Sequence, residues 1–234
     1  MSADARPPAA EPAAAAAGQD AVVDLLGALA YAELTAFLRM AADAGRAPGL
    51  EVRVALARMA TVEFGHYERI ATRLDQLGRE PAAAMAPFVD AVNAFHDRTT
   101  PRDWLEGLVK AYVGDGIGRD FYREIAANLG PDDERLVHHV LGAADQDEFV
   151  VRMVGQAIAE DPTVAGRLAL WGRRLVGEAI AQAQYIAVER DALAGLIVGG
   201  GPAGGGLDLA ELGRLFARLT DAHVARMQRM GLSH

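Results

Sequence analysis

The sequence predicts an all-α protein. Of its 234 residues, 51% are hydrophobic but only 6% are aromatic. A composition rich in Ala, Leu, Arg and Glu favours helices over strands. Long amphipathic stretches, with apolar residues three and four positions apart, run between breaks that contain Gly or Pro. No stretch alternates with a period of two over the length of a strand, so long helices alone are expected.

The breaks divide the chain into helices in a definite order. We expect the Ala- and Pro-rich residues 1–18 to be a disordered tail and residues 19–234 to form one domain. Within the domain we expect a core bundle over about 20–160 and outer helices over about 162–230. The predicted helices are 20–44, 50–77, a short one at 89–95, 104–129, 132–160, 162–198 and 208–230.

Glycine and proline mark the predicted helix ends. In "LGPDD", Gly130 ends one long helix and Pro131 starts the next. The stretch "GGGPAGGG" at 199–206 has no following Lys and no preceding strand, so it is predicted to be a linker rather than a phosphate-binding loop. Two helices with a short link, a long Pro-containing connection and two more helices match a four-helix bundle with one long crossover, the ferritin-like arrangement.

Charge and cysteine content exclude several classes of function. The net charge of −9 disfavours nucleic acid, tRNA included, because phosphate contacts need Lys and Arg. The absence of Cys excludes disulfides, thiolate metal sites and a Cys nucleophile. The amino terminus lacks the features of a secretory signal, and no run of about 18 apolar residues is present. We therefore expect a cytoplasmic protein without a membrane segment.

A Glu and a His interrupt the apolar stripe of the second predicted helix. Apolar residues from Leu56 to Leu74 recur at spacings of three and four, and the same face passes through Glu63 and His66 in "TVEFGHYERI". Both side chains are therefore predicted to point into the core, one turn apart. Glu68 falls off this face and is expected to face solvent or to support the ligands from outside.

Acidic residues interrupt the apolar stripes of three further helices. Glu33 does so in the first, Asp115 in the third and Glu148 in the fourth, with Asp145 at the edge of the same face. Buried carboxylates repel one another unless a cation compensates them, and carboxylate with imidazole suits Fe, Mn or Zn. The pattern predicts a metal site made of Glu33, Glu63, His66, Asp115, Asp145 and Glu148. For "AADQDEF", which contains Asp145 and Glu148, a solvated helix face is the alternative.

Three further residues are candidates for supporting the ligands through hydrogen bonds. Tyr112 lies on the same stripe as Asp115. Glu178 and Gln182 share a face of the fifth helix, where they either support the ligands or form a polar contact between outer helices. His96, in the crossover, is predicted to be a loop histidine.

Four stretches carry a resemblance to a known family. In this order, "YAELTAF", "VEFGHYERI", "KAYVGDGIGRDFYREIA" and "AADQDEFV" resemble the ferritin-like proteins related to the tRNA hydroxylases. The likeness covers roughly residues 20–160, and "LTDAHVARMQRMGL" is similar to actinobacterial members of the wider group. The resemblance implies a non-haem di-iron site that uses O₂ to hydroxylate an unactivated C–H bond, with two iron ions as the cofactor and with tRNA as the family's substrate. The departures of this chain from the family's ligands make manganese an alternative to iron.

The residues match that family unevenly. Glu33, Glu63 and His66 match its ligands directly. Asp115 is a shifted or shortened substitute for a Glu, and Asp145 with Glu148 aligns with a second Glu-x-x-His pair whose His is lost. The expected function is an O₂-dependent oxidoreductase with an unknown substrate. The alternative is a non-catalytic helical scaffold, acting as a homodimer, with a degenerate or structural metal site.

Overall fold

The computed structural model describes residues 10–142, 145–190, 193, 195–196 and 209–233, and every regular element within these residues is a helix. The all-α prediction is therefore confirmed. In chain order the helices are α1 (Ala10–Arg46), α2 (Leu50–Gln76), α3 (Pro81–Met85), a 3₁₀ turn (Ala86–Phe88), α4 (Val89–Arg98), α5 (Trp104–Ala126), α6 (Pro131–Val140), α7 (Asp145–Glu160), α8 (Val164–Glu189) and α9 (Leu209–Arg229).

Helices α1 and α2 form the most extensive pair, and α5 lies at the centre of the remaining packing. Helix α5 contacts α1 on one side and α6, α7, α8 and α9 on the others. The division into a core bundle over about 20–160 and outer helices over about 162–230 remains a prediction, because α5 packs on α8 and α9 as well as on α6 and α7. Helices α8 and α9 pack against α5, and the crossover helix α4 lies between α1 and α8.

Two apolar clusters lie at opposite ends of the α1–α2 pair. The larger cluster draws on α1, α2, α5, α7, α8 and α9 and includes Leu56 and Leu108, which are 1% and 0% exposed. The second draws on α1, α2, α5 and α6 and includes Ile70 and Val137, both 0% exposed. Full burial of one such side chain contributes about 1.5–3 kcal/mol, so these clusters account for most of the driving force for folding.

The first helix begins earlier than expected. Residues 10–18, predicted to be a disordered tail, belong to α1 in the structure. Alanines occupy positions 13–17, and Ala has the highest intrinsic helix propensity. Pro12 is the third residue of the helix, where its missing N–H costs no intrahelical hydrogen bond. The rest of the predicted tail, residues 1–9, lies outside the described residues.

The predicted fourth helix is two helices. Helix α6 ends at Val140, and the Leu141 N–H donates to the Val137 and His139 carbonyls. Gly142 follows, and α7 begins at Asp145. Because the chain does not continue as one helix, the face of α7 that enters the core is not the extension of the stripe on α6.

The connections also differ from the sequence prediction. The crossover holds α3, the 3₁₀ turn and α4 instead of one short helix, and Glu80 caps α3 by accepting from the Ala82 and Ala83 N–H groups. Helix α8 ends at Glu189, and the predicted linker at 199–206 lies outside the described residues.

Helix α9 approaches α5 and α8 closely at two glycines. A Cβ atom at Gly116 would lie 2.6 Å from Arg226 Nε, and one at Gly172 would lie 2.4 Å from Met227 Sδ. Ion pairs join the same helices, from Arg226 to Asp120 at 2.6 Å and from Arg218 to the α5 carboxylate of Glu124 at 2.7 Å. The carboxy-terminal helix is therefore an integral part of the packed structure.

Part of α1, Gly18–Arg46, is long and apolar enough to cross a membrane by length and composition. Of its most apolar window, 56% is buried inside the protein. The core helix of a bundle passes the same test, and α1 contributes residues to both apolar clusters. Packing within the bundle therefore accounts for its apolar character.

Candidate metal centre

Glu33 of α1 and Glu63 and His66 of α2 meet at a buried point of the bundle. Their exposed fractions are 6%, 3% and 8%. Along each helix, these residues lie between positions that belong to the two apolar clusters described above. The stripes therefore place three polar side chains in a thin layer between two apolar regions, where water cannot satisfy them.

The ligand atoms of this Glu–Glu–His group face one another. His66 Nδ1 lies 3.2 Å from Glu33 Oε2 and 3.4 Å from Glu63 Oε2. One ligand atom from each residue lies within 4.8 Å of the others. A cation about 2.1 Å from each ligand would hold them about 3.0–3.4 Å apart, so the two distances from His66 Nδ1 already match metal coordination.

The charges of the group are strongly coupled. Burial alone raises the pKa of Glu63, but hydrogen bonds to His66 and Glu33 and the positive charges of His66 and Arg119 outweigh burial. The pKa of Glu63 therefore lies below its ordinary value, which favours the ionised carboxylate. Two carboxyl groups in hydrogen-bond contact repel each other unless a proton or a cation is shared between them.

Two residues of α5 complete the surroundings of the group. Burial and the nearby charge of Glu33 both raise the pKa of Tyr122 above its ordinary value, so the phenol stays neutral beside that carboxylate. Arg119 supplies positive charge to Glu63, and its Nη2 lies 3.1 Å from Asp147 Oδ1 on α7. The carboxylates of the group thus have one aromatic and one cationic neighbour on α5.

The other predicted ligands do not all join this group. Within the described part of the chain, Glu33, Glu63 and His66 are the residues brought together. Glu148 lies on the surface with its side chain 77% exposed, and its Oε1 accepts from Arg229 Nη2 at 2.6 Å. The structure thus places Glu148 in an ion pair between α7 and α9. The side chains of Asp115 and Asp145 lie outside the described residues.

Asp147, which the sequence pattern did not single out, lies on the inward side of α7. Its side chain is 20% exposed, and Val150 and Val154 on the same face are 1% and 0% exposed. The break after α6 sets this face, and Gly142, next to the end of α6, was the signal for it. Glu148 is one position away from Asp147, which is about 100° around the helix and sufficient to turn it to solvent.

The three candidates for supporting the ligands have other surroundings. Tyr112 is 2% exposed, and no described group hydrogen-bonds its hydroxyl. Glu178 Oε2 lies 3.6 Å from Arg98 Nη1. The Gln182 amide oxygen accepts from the same arginine at 2.7 Å and its nitrogen donates to the Ala91 carbonyl at 3.2 Å. Glu178 and Gln182 therefore join α8 to α4, the alternative given for them above.

The Glu–Glu–His group has the chemistry of a divalent metal site. Two carboxylate oxygens and one imidazole nitrogen suit Fe, Mn or Zn, and the absence of Cys excludes thiolate alternatives. Three protein ligands leave coordination positions for water, a substrate or further ligands. The residues present therefore fit a metal ion on both donor type and spacing.

Comparisons with known proteins agree with the architecture. Residues 16–200 match the family described as "Ferritin-like domain, actinomycetes". A comparison with curated proteins finds no match. Because the family match covers most of the chain, the chain belongs to this family.

Proposed function

We propose that this member of the actinomycete ferritin-like family is a metalloprotein in which Glu33, Glu63 and His66 bind iron, with manganese as the alternative. We further propose that it uses the metal and O₂ to oxidise a substrate. One observation carries this proposal: the three ligand atoms converge in a buried layer between two apolar clusters.

Each residue of the group would have a distinct part in binding. Glu33 and Glu63 supply negative charge that offsets a divalent cation, and the lowered pKa of Glu63 keeps that charge available. His66 presents Nδ1 to both carboxylates and would bind as the neutral imidazole. When bound, iron or manganese would supply the capacity to activate O₂. The apolar clusters on either side keep bulk water away from the site.

The number of metal ions depends on residues beyond this group. Two iron ions remain our prediction, because the sequence pattern predicts Asp115 and Asp145 as further ligands. Arg119 acts against a second cation, because its guanidinium already supplies positive charge next to Glu63. One equivalent of metal per chain would indicate that the charge of Arg119 takes the place of a second metal ion, and two equivalents would indicate that it does not.

The reaction and its setting stay proposals that rest on the sequence resemblance. We propose O₂ as a co-substrate and hydroxylation of an unactivated C–H bond as the reaction. The net charge of −9 and the pairing of many arginines with carboxylates disfavour tRNA as the substrate. A cytoplasmic location and a homodimer remain predictions.

Metal analysis of purified protein tests the proposal. Protein from cells supplied with iron and manganese should contain between about one and two equivalents of metal. Glu63→Ala and His66→Ala should lose most of it, whereas the matched control Glu148→Ala, which removes a surface carboxylate, should retain it. Metal-free wild-type protein, or equal loss in the control, would overturn the proposal.

The structure also supports a second function, a scaffold whose metal site is structural. The Arg119–Asp147 ion pair beside Glu63 shows that part of the buried charge is compensated within the protein. A scaffold would bind metal but would not consume O₂ when a reductant is added. Oxygen uptake by the iron-loaded protein, absent in His66→Ala, would exclude this alternative.

A further inference from the structure

A cavity leads away from Glu33 of the candidate metal centre. Its volume is about 230 Å³, and it runs between α1, α4, α5, α8 and α9. On α1 its lining residues extend from Ala32 to Asp43, which spans about 16 Å at a rise of about 1.5 Å per residue. Glu33 lies near one end and Asp43 at the other. A cavity of this length can accommodate an extended alkyl chain.

Small residues create this space. On α5, Gly107, Ala111, Gly114 and Gly118 line the cavity at spacings of three and four, so they share one face. A Cβ atom at Gly118 would meet no atom within 4 Å, and one at Gly114 would meet only Phe95, at 3.9 Å. The cavity is therefore real empty volume next to α5, and a larger side chain at position 118 would enter it.

The end of the cavity away from the metal centre is cationic. Lys110 and Arg39 line it, and Lys110 Nζ donates to the Thr99 carbonyl at 2.7 Å and lies 5.4 Å from the centre of the Phe95 ring. Asp43 is the acid at this end, and its Oδ1 is 3.4 Å from Arg46 Nη1. Among 22 arginines Lys110 is the chain's single lysine. Burial and Arg39 lower the pKa of Lys110 to about 8, although Asp43 and Asp97 act in the opposite direction.

His96 adds an unsatisfied polar atom at the same end. It lines the cavity, is 9% exposed, and its Nδ1 has no hydrogen-bond partner among the described groups. Burial, with the charges of Lys110 and Arg39, lowers its pKa to about 3, so the ring is neutral. Because Nδ1 is enclosed by protein atoms, the neutral ring forms part of the wall at this end and leaves Lys110 and Arg39 as the groups that attract a ligand.

We propose that this cavity binds a fatty carboxylate, with its carboxylate at Lys110 and Arg39 and its alkyl chain directed towards Glu33. Lys110 and Arg39 provide charge-assisted hydrogen bonds to the carboxylate. The apolar Gly- and Ala-lined channel receives the chain. As a substrate site it rests on the proposed function, but as a binding site it does not, because no contact in it requires a metal.

The same features select against other ligands of similar size. A cationic amphiphile would bring a third positive charge to Lys110 and Arg39, which is unfavourable in a partly buried site. A fatty alcohol would fill the channel but would not compensate the lysine.

Calorimetric titration with dodecanoate tests the proposal on protein freed of metal with a chelator. We expect saturable binding at one site, with dodecyltrimethylammonium binding at least about 10-fold more weakly. Lys110→Met should weaken dodecanoate binding about 10-fold and leave dodecanol binding unchanged. Gly118→Leu should weaken both ligands at least about 10-fold, because the new side chain occupies the channel.

The matched control is Gly177→Leu. Gly177 is an exposed glycine within α8 with open space around it, so this variant carries the same helix change without touching the cavity. Circular dichroism and thermal unfolding confirm that each variant is folded before titration. Equal binding of the cationic and anionic amphiphiles, or equal effects of Gly118→Leu and Gly177→Leu, would overturn the proposal. Loss of metal binding in the Glu63 and His66 variants is measured separately, so the two proposals fail independently.

Discussion

The buried histidine of the Glu–Glu–His group and the buried histidine at the far end of the cavity are in opposite surroundings. His66 faces the carboxylates of Glu33 and Glu63, whereas His96 faces the positive charges of Lys110 and Arg39. The first arrangement attracts a cation and the second attracts an anion. The comparison teaches that the neighbours on adjacent helices, rather than the histidine itself, decide what a buried imidazole can bind.

The largest effect is expected on metal affinity, when one carboxylate of the Glu–Glu–His group is neutralised. We expect Glu33→Gln to lower the affinity for Mn²⁺ by about 100-fold or more, because it removes a charged ligand and keeps the side-chain volume. Titration calorimetry without oxygen measures the affinity. Glu178→Gln, a half-exposed acid paired with Arg98, is the control and should bind Mn²⁺ as wild type does. Similar affinities in both variants would mean that Glu33 is not a ligand.

The second-largest effect is expected on the free energy of unfolding, when Arg119 beside the Glu–Glu–His group is replaced. Arg119→Met removes the ion-pair partner of Asp147 and one of the two positive charges near Glu63. Both partners of the pair are largely buried, with side chains 12% and 20% exposed, so we expect a loss of about 2 kcal/mol in the free energy of unfolding of metal-free protein. Urea denaturation measures this change. An unchanged unfolding midpoint would show that solvent already screens the pair.

The cationic end should make stability depend on pH through His96. Its pKa is about 3 in the folded protein and ordinarily 6.5, so between these values the unfolded chain binds a proton that the folded protein does not. Stability should therefore fall as the pH decreases through this window, by about 2 kcal/mol between about pH 7.5 and pH 5.

His96→Gln isolates this contribution, because it keeps a polar side chain and cannot titrate. The difference in unfolding free energy between wild type and His96→Gln, from urea denaturation at both pH values, should shift by this amount in favour of the variant at the lower pH. A difference that stays constant with pH would mean that His96 can take up a proton in the folded protein.

The smallest effect on the free energy of unfolding is expected at Glu148, a predicted ligand that lies on the surface in the structure. Arg229→Ala removes the partner of Glu148, whose side chain is 77% exposed. Exposed ion pairs contribute little, so the free energy of unfolding should change by about 0.5 kcal/mol or less. A thermal-unfolding comparison with Arg119→Met measures the contrast. A loss as large as that of Arg119→Met would mean that the Glu148 pair is part of the core.

The sequence predicts the site residues that lie on the continuous helices α1 and α2. Glu33, Glu63 and His66 interrupt apolar stripes on α1 and α2, and a stripe on a continuous helix fixes which side chains point inward. The same reasoning placed Glu148 in the core, because it treated residues 132–160 as one continuous helix with a single inward face. The end of α6 resets the register, and Asp147 takes the inward position.

The cationic end could not be predicted in this way. Arg39, His96 and Lys110 come from three helices and share no periodic pattern in the sequence. His96 was expected in a loop, but it belongs to α4 and is buried because α4 packs against both α1 and α8. Only tertiary packing, which sequence periodicity does not encode, brings these groups together.

The position of α9 also has a consequence for the order in which the protein folds during synthesis. The larger apolar cluster includes Met227, Met230 and Leu232, and it joins them to residues as early as Met40. The second cluster requires no residue beyond Leu141. On the ribosome, the α1–α2–α6 end can therefore pack first, while the larger cluster stays open until the final helix has emerged. Until then, the incomplete cluster exposes apolar surface, which makes the nascent chain a client for chaperones at that stage.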